Sequence, residues 1–198
     1  EGRFLPVPHC IRDTPGWALE PDIAKECAQG MISFAKPTFG SAALCEYVRA
    51  LAEEKGFAQV LWLDGVERKY VEEVGSMNCF FKIDGVIRTA PCVGTVLPGI
   101  TRMSCIELLE KWGYKVDCES RLPIADVIRA GKEGKLEEVF GTGTAAVISP
   151  VGELRYEDEV LTINGFQTGP VTQRLYDTLT GIQWGTLPDD MGWTQEVE

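Results

Sequence analysis

Three short segments of this 198-residue chain carry residues whose types and order could do chemistry. Leu97-Pro98-Gly99-Ile100-Thr101-Arg102 sets a glycine immediately before a helix start. A helix beginning there leaves its first N–H groups unpaired, with the positive end of its dipole behind them, and so offers a phosphate-sized anion site. The same residues also read as a plain helix cap. Phe140-Gly141-Thr142-Gly143-Thr144-Ala145-Ala146 combines glycines, which let backbone approach a ligand, with threonine hydroxyl donors. It equally reads as a tight turn. Glu72-Glu73-Val74-Gly75-Ser76-Met77-Asn78 puts two adjacent acids on a strand, where their side chains point to opposite faces. One can face solvent and the other a site. A carboxylate against a pyridine nitrogen keeps that nitrogen protonated, the form in which the ring draws electrons. A solvated strand edge is the plainer reading.

Those segments need a scaffold, and the hydrophobic pattern supplies one. Residues 1–50 hold five prolines and little periodicity, so they read as mostly irregular. Ser41 to Lys55 reads as a helix, with Leu44, Val48 and Leu51 on one face and Gly56 as its stop. Ala58 to Leu63 reads as a buried strand and Lys69 to Val74 as an alternating one. Met77–Ile83 and Val86–Thr89 flank Asp84-Gly85, a hairpin turn. Helices follow at Ile100–Trp112 and Pro123–Ala130, with a strand at Tyr114–Cys118 between them. Leu136–Phe140 is a strand, Glu153–Thr162 two short ones, and Val171–Ile182 a helix opened by Pro170. Trp193 is an anchor for the polar tail. Mixed strands and helices without regular βαβ alternation indicate an α+β fold.

Bulk composition narrows the chemistry. The net charge of −11 disfavours nucleic acid and anionic membrane surfaces as partners. No apolar run approaches the ~18 residues of a membrane span. No apolar signal core opens the chain, and no initiator Met, so the natural start is expected to lie further upstream. Seven cysteines form no Cys-x-x-Cys pair, which suits free thiols in a reducing compartment, the cytoplasm in the first instance. His9 is the single histidine, so a zinc site and histidine-based nucleophilic catalysis are both disfavoured, and no metal is expected.

Taken together and in order, the three segments resemble the large domain of the fold-type IV enzymes that use pyridoxal 5′-phosphate (PLP). Gln59-Val60-Leu61-Trp62-Leu63-Asp64, Glu67-Arg68-Lys69-Tyr70-Val71-Glu72, Gly169-Pro170-Val171-Thr172 and Leu179-Thr180-Gly181-Ile182-Gln183-Trp184-Gly185 narrow the resemblance to branched-chain amino-acid aminotransferases. It covers residues 51–198, leaving 1–50 as a divergent or truncated N-terminal segment. The resemblance implies a barrel-like, strand-rich core with peripheral helices. It implies transfer of an amino group between leucine, isoleucine or valine and 2-oxoglutarate, in a homodimer. Glu73 would pair with the pyridine nitrogen, the N–H groups of Ile100 and Thr101 would hold the phosphate, and Leu97 and Gly99 would line the ring pocket. Ser76 stands where the family often has threonine. Thr144 would add a hydroxyl to the phosphate, and the Thr144-Ala145 backbone would receive the substrate carboxylate. Relatives acting on D-amino acids or aminodeoxychorismate fit the Leu179–Gly185 segment less well.

The same resemblance locates the lysine that binds the cofactor covalently. Counting back from Gln59 puts its column on Pro37, beside Lys36, which is therefore the candidate. A second alignment matches Glu46-Tyr47-Val48-Arg49-Ala50 to the strand before the lysine loop and deletes that loop. The chain is then a catalytically incomplete fragment or pseudoenzyme that keeps the fold and PLP binding. In the family a further N-terminal domain supplies an arginine to the phosphate and part of the substrate pocket, and residues 1–45 do not resemble it.

Overall fold

The computed structural model describes residues 56–195 continuously, preceded by Ala43, Glu46, Tyr47, Ala50 and Glu54. The chain divides into two compact units, 1–58 and 59–198. In the first, the five isolated residues are helical and Gly56 has φ 74, the left-handed backbone that ends a helix. Leu44, Val48, Leu51 and Lys36 lie outside the described residues.

The second unit is built on strands β1 (Leu61–Leu63), β2 (Val71–Val74), β3 (Met77–Ile83), β4 (Val86–Thr89), β5 (Lys115–Asp117), β6 (Leu136–Gly143) and β7 (Val147–Pro150), all in one sheet. β8 (Glu153–Tyr156) and β9 (Glu159–Thr162) form a separate hairpin. Helices α1 (Ile100–Lys111), α2 (Ile124–Lys132) and α3 (Pro170–Gln183) lie at its periphery. The class is α+β, as the residue pattern indicates.

β3 is the axis of the sheet. β6 runs along one edge of it, from Asn78↔Thr142 to Ile83↔Leu136. The opposite edge is shared: β2 takes Met77 and Asn78, and β4 takes Phe80 to Ile83. Both short turns follow from local chemistry. Asp84 and Gly85 have φ 50 and 75, the paired positive values of a type I′ hairpin. Gly75 opens the two-residue β2–β3 turn with φ 57. Among the described residues one pairing is parallel, β4 with β5, with α1 as the connection between them.

Alternation along β3 and β6 sorts side chains onto two buried faces. Cys79, Phe81 and Val139 join Val127 and Ile128 of α2 and Leu154 and Leu161 of the small hairpin. Phe80, Ile87 and Phe140 join Cys105, Leu108 and Leu109 of α1 and Val171, Leu175 and Leu179 of α3. Phe80 and Phe140 are stacked, with ring centroids 5.1 Å apart and planes within 5°. Each large apolar side chain fully buried in this way contributes about 1.5–3 kcal/mol. Trp193 packs against this second cluster and donates to Glu107 at 3.3 Å, so the tail anchor is real.

Three details differ from the sequence reading: the strand expected over Ala58–Leu63 is only Leu61–Leu63 and is not buried, with Trp62 45% exposed; the others lie in β6 and β2. Gly141-Thr142-Gly143 is not a turn but the end of β6, and the turn comes at residues 144–146. The cause is packing: a Cβ on Gly141 would press on Met77 and Val74, and one on Gly143 on Met77. The glycines keep the strand close to its neighbour. β2 does not alternate cleanly either, since Val71 and Val74 are buried with both glutamates half-buried between them.

Candidate active site

The site lies at the end of the α1/α3 face of the sheet. Glu73 stands opposite Asn78, and Asn78 opposite Thr142, so three polar residues form one row across β2, β3 and β6. Directly opposed residues present their side chains on the same face. Asn78 is 4% exposed and Thr142 1%.

The loop before α1 folds onto this row. Glu73 Oε1 accepts from Leu97 N at 3.2 Å and from Asn78 Nδ2 at 3.1 Å. Asn78 Nδ2 also donates to the Leu97 carbonyl at 2.9 Å. Gly99 lies where any Cβ would collide with Asn78 Oδ1. Glu72 is engaged as well, accepting from the Thr95 hydroxyl at 2.7 Å. The expected division into one solvated and one site carboxylate thus gives way to two carboxylates gripping one loop. Glu73 Oε2 has no partner among the described residues, so one carboxylate oxygen is held and the other is available.

Gly99 is the N-cap of α1, with extended φ −65 and ψ 136, and it has no side chain to cap with. The N–H groups of Ile100, Thr101 and Arg102 precede the first intrahelical donor, Met103 N, which bonds the Gly99 carbonyl. Ile100 and Thr101 find no other acceptor among the described residues, and Ile100 is 74% exposed. Arg102, the cation in the first turn of α1, is buried and donates from Nη2 to the Ala90 carbonyl at 2.9 Å. The anion-binding capacity of this end therefore rests on backbone N–H groups and the helix dipole. Leu97 N is bonded to Glu73, and Ile100 N is three residues on, a span of at most about 10 Å. A held carboxylate and an open helix start at that spacing suit a protonated aromatic ring with a phosphate arm.

Thr144 and Ala145 are exposed in the β6–β7 turn, and Ser76 is exposed in the β2–β3 turn. Gly143 lies against Met77 and near the Ser76 carbonyl, so the two turns are neighbours. Val147, the first residue after the β6–β7 turn, has φ 56, a strained value for a β-branched residue. The Thr142 hydroxyl is buried without a hydrogen-bond partner among the described residues. Of the sequence-derived candidates, the structure brings Glu73, Leu97 and Gly99 into contact and sets Ile100 and Thr101 just beyond. Asn78 stands in the motif with no role evident from sequence, although its place follows from a two-residue turn. Thr142 was legible in sequence only as a hydroxyl donor in a glycine-threonine segment; its place beside Asn78 depends on the β3–β6 register.

A strand-built carboxylate facing an open helix N-terminus defines the class: an α+β cofactor-binding domain of the fold-type IV kind. The sequence profile described as amino-transferase class IV matches residues 38–154, and the chain belongs to that family. Its sequence is 58% identical over 160 residues to branched-chain-amino-acid aminotransferase 2 of Bacillus subtilis, covering 81% of this chain and 44% of that protein. It is 43% identical over 158 residues to the Mycolicibacterium smegmatis branched-chain-amino-acid aminotransferase, covering 78% and 43%. The crystal structure of the Escherichia coli branched-chain amino acid aminotransferase matches with a TM-score of 0.60 at 33% identity, over 75% of this chain and 45% of that one. The chain thus spans under half the length of these curated relatives.

Proposed function

We propose that residues 51–198 are the PLP-binding domain of a branched-chain amino-acid aminotransferase, moving an amino group between leucine, isoleucine or valine and 2-oxoglutarate. The observation that carries this reading is the Glu73 carboxylate held by Leu97 N and Asn78 three residues ahead of the open N-terminus of α1. When bound, PLP supplies the electron sink that makes the amino acid's Cα proton removable. The remaining work belongs to the protein. Glu73 Oε2 would face the ring nitrogen and favour its protonated form through its negative charge. The N–H groups of Ile100 and Thr101 receive the phosphate, and the Thr144 hydroxyl adds a donor from the β6–β7 turn. Leu97 and Gly99 would line the ring pocket, and the Thr144-Ala145 backbone would receive the substrate carboxylate. Ser76, exposed on the neighbouring turn, offers a further hydroxyl. Lys36 would be the residue that holds the cofactor covalently and carries the proton at Cα. The assembly is proposed to be a homodimer.

A second reading has its own support, the proline in the lysine column. In it the chain binds PLP but does not turn over. Borohydride reduction after incubation with PLP, followed by peptide mass spectrometry, separates the two. One stoichiometric pyridoxyl adduct on Lys36 is expected for the aminotransferase. No adduct, or scattered labelling of surface lysines, assigns the chain to cofactor binding without transfer.

A further inference from the structure

We propose that Asn78 is the positioning residue of this site, fixing the Glu73 carboxylate relative to the N-terminus of α1 so that ring and phosphate are received at one spacing. The inference rests on the cofactor reading above and adds to it a residue that acts through Glu73 and the Leu97 loop. An asparagine amide has two N–H protons, and Asn78 has both engaged: one on Glu73 Oε1 at 3.1 Å, one on the Leu97 carbonyl at 2.9 Å. Its orientation is dictated by chemistry. With nitrogen and oxygen exchanged, an acceptor would face a carboxylate and a carbonyl, and both bonds would be lost. Its Oδ1 lies against Gly99, the residue that opens α1. One amide thereby touches the carboxylate, the loop and the helix start.

The backbone behind that amide is unusually constrained. Asn78 is the one residue of β3 whose register pairs it on both sides of the site, with Glu73 of β2 and Thr142 of β6. Its Cα cannot shift without breaking a ladder on one edge or the other. Glu73, by contrast, is only half-buried and has a long side chain. Left alone, such a carboxylate samples several rotamers, and holding it costs entropy on ligand binding. Asn78 and Leu97 N remove that freedom beforehand.

The test is a double-mutant cycle read by PLP affinity of the full chain, from absorbance titration: wild type, Asn78→Ala, Glu73→Ala and the double variant, each with a thermal melt. Asn78→Ala should weaken PLP about tenfold in the wild-type background, the scale of one hydrogen bond to a charged group. In the Glu73→Ala background the same change should cost less than about twofold, because a positioning role has nothing left to position. If Asn78→Ala does not fold, Asn78→Leu fills the volume without the donors and takes its place in the cycle. Equal weakening in both backgrounds, or none in either, overturns the proposal and leaves Asn78 a packing residue. A folded wild-type chain that binds no PLP instead sinks the cofactor reading, and the positioning role falls with it.

Discussion

Helices α1 and α3 begin alike and are finished differently. Both have glycine N-caps in extended conformation, Gly99 and Gly169, and neither glycine can cap with a side chain. α3 receives an anion from the protein itself. Glu138, 3% exposed on β6, accepts from Val171 N at 3.2 Å and from the N–H and hydroxyl of Thr172 at 2.8 and 2.7 Å. Pro170 at the first position removes a further donor that would otherwise need a partner. α1 has no such carboxylate among the described residues, and its first residue is Ile100, which keeps its N–H. The protein closes one helix start with its own carboxylate and leaves the other open, where we propose the cofactor's phosphate binds. The glycines serve both ends, since a Cβ on Gly169 would collide with the Glu138 carboxyl as one on Gly99 would with Asn78.

Breaking the closed end should have the largest effect. Glu138→Ala strips the acceptors from three buried donors and is expected to cost about 3 kcal/mol in urea denaturation. A loss under about 1 kcal/mol would mean that water replaces the carboxylate without penalty. Next come the two glycines. Gly99→Ala and Gly169→Ala should each cost about 2 kcal/mol through forced displacement of the facing side chain. Only Gly99→Ala should also weaken PLP, and equal PLP affinity in the two variants would erase the distinction between the helix starts. Ile100→Pro sharpens it further by giving α1 the first residue of α3. Proline is tolerated at that position, so the melting temperature should hold within a degree or two while PLP weakens about tenfold. Retained affinity would show that the phosphate does not use that N–H.

The smallest effect concerns pH. Asp64 is a third internal anchor, between β1 and β2. Its Oδ1 accepts from Lys69 N and Tyr70 N, both at 2.8 Å, and its Oδ2 from Glu67 N at 2.6 Å. These backbone bonds, from Tyr70 foremost, hold its carboxyl well below the usual carboxylate range. A lowered folded value contributes stability that is present above the unfolded aspartate value of ~3.9 and is lost as pH falls below it. Asp64→Asn should therefore melt several degrees lower than wild type at neutral pH. The two curves should converge as the pH drops below about 4. A constant gap down to pH 2 would assign the loss to geometry rather than charge.

Much of the scaffold was legible from local pattern. The Asp84-Gly85 hairpin, the Pro170 helix start and the glycine ahead of α1 are each specified by residues within a few positions of one another, because turn and cap chemistry is local. Glu73, Ile100 and Thr101 were likewise readable as a strand carboxylate and the first turn of a helix; their cofactor roles rest on the family resemblance. What the pattern misread was the stretch Gly141–Gly143. As isolated glycines they suggest a turn, and only Met77 across the sheet explains why a strand needs them.

The sequence by itself determined most of the strands and helices, though not β7 or the end of β6, and also where α1 opens and that an acid precedes it in the chain. Tertiary structure alone decided that Leu97 N reaches Glu73, that Asn78 holds both, that Arg102 turns away to Ala90, and that Glu138 seals α3 while α1 stays open. Those are contacts between residues up to 34 positions apart. Such pairings depend on strand register and on the approach of one loop to one sheet end, which no local preference encodes.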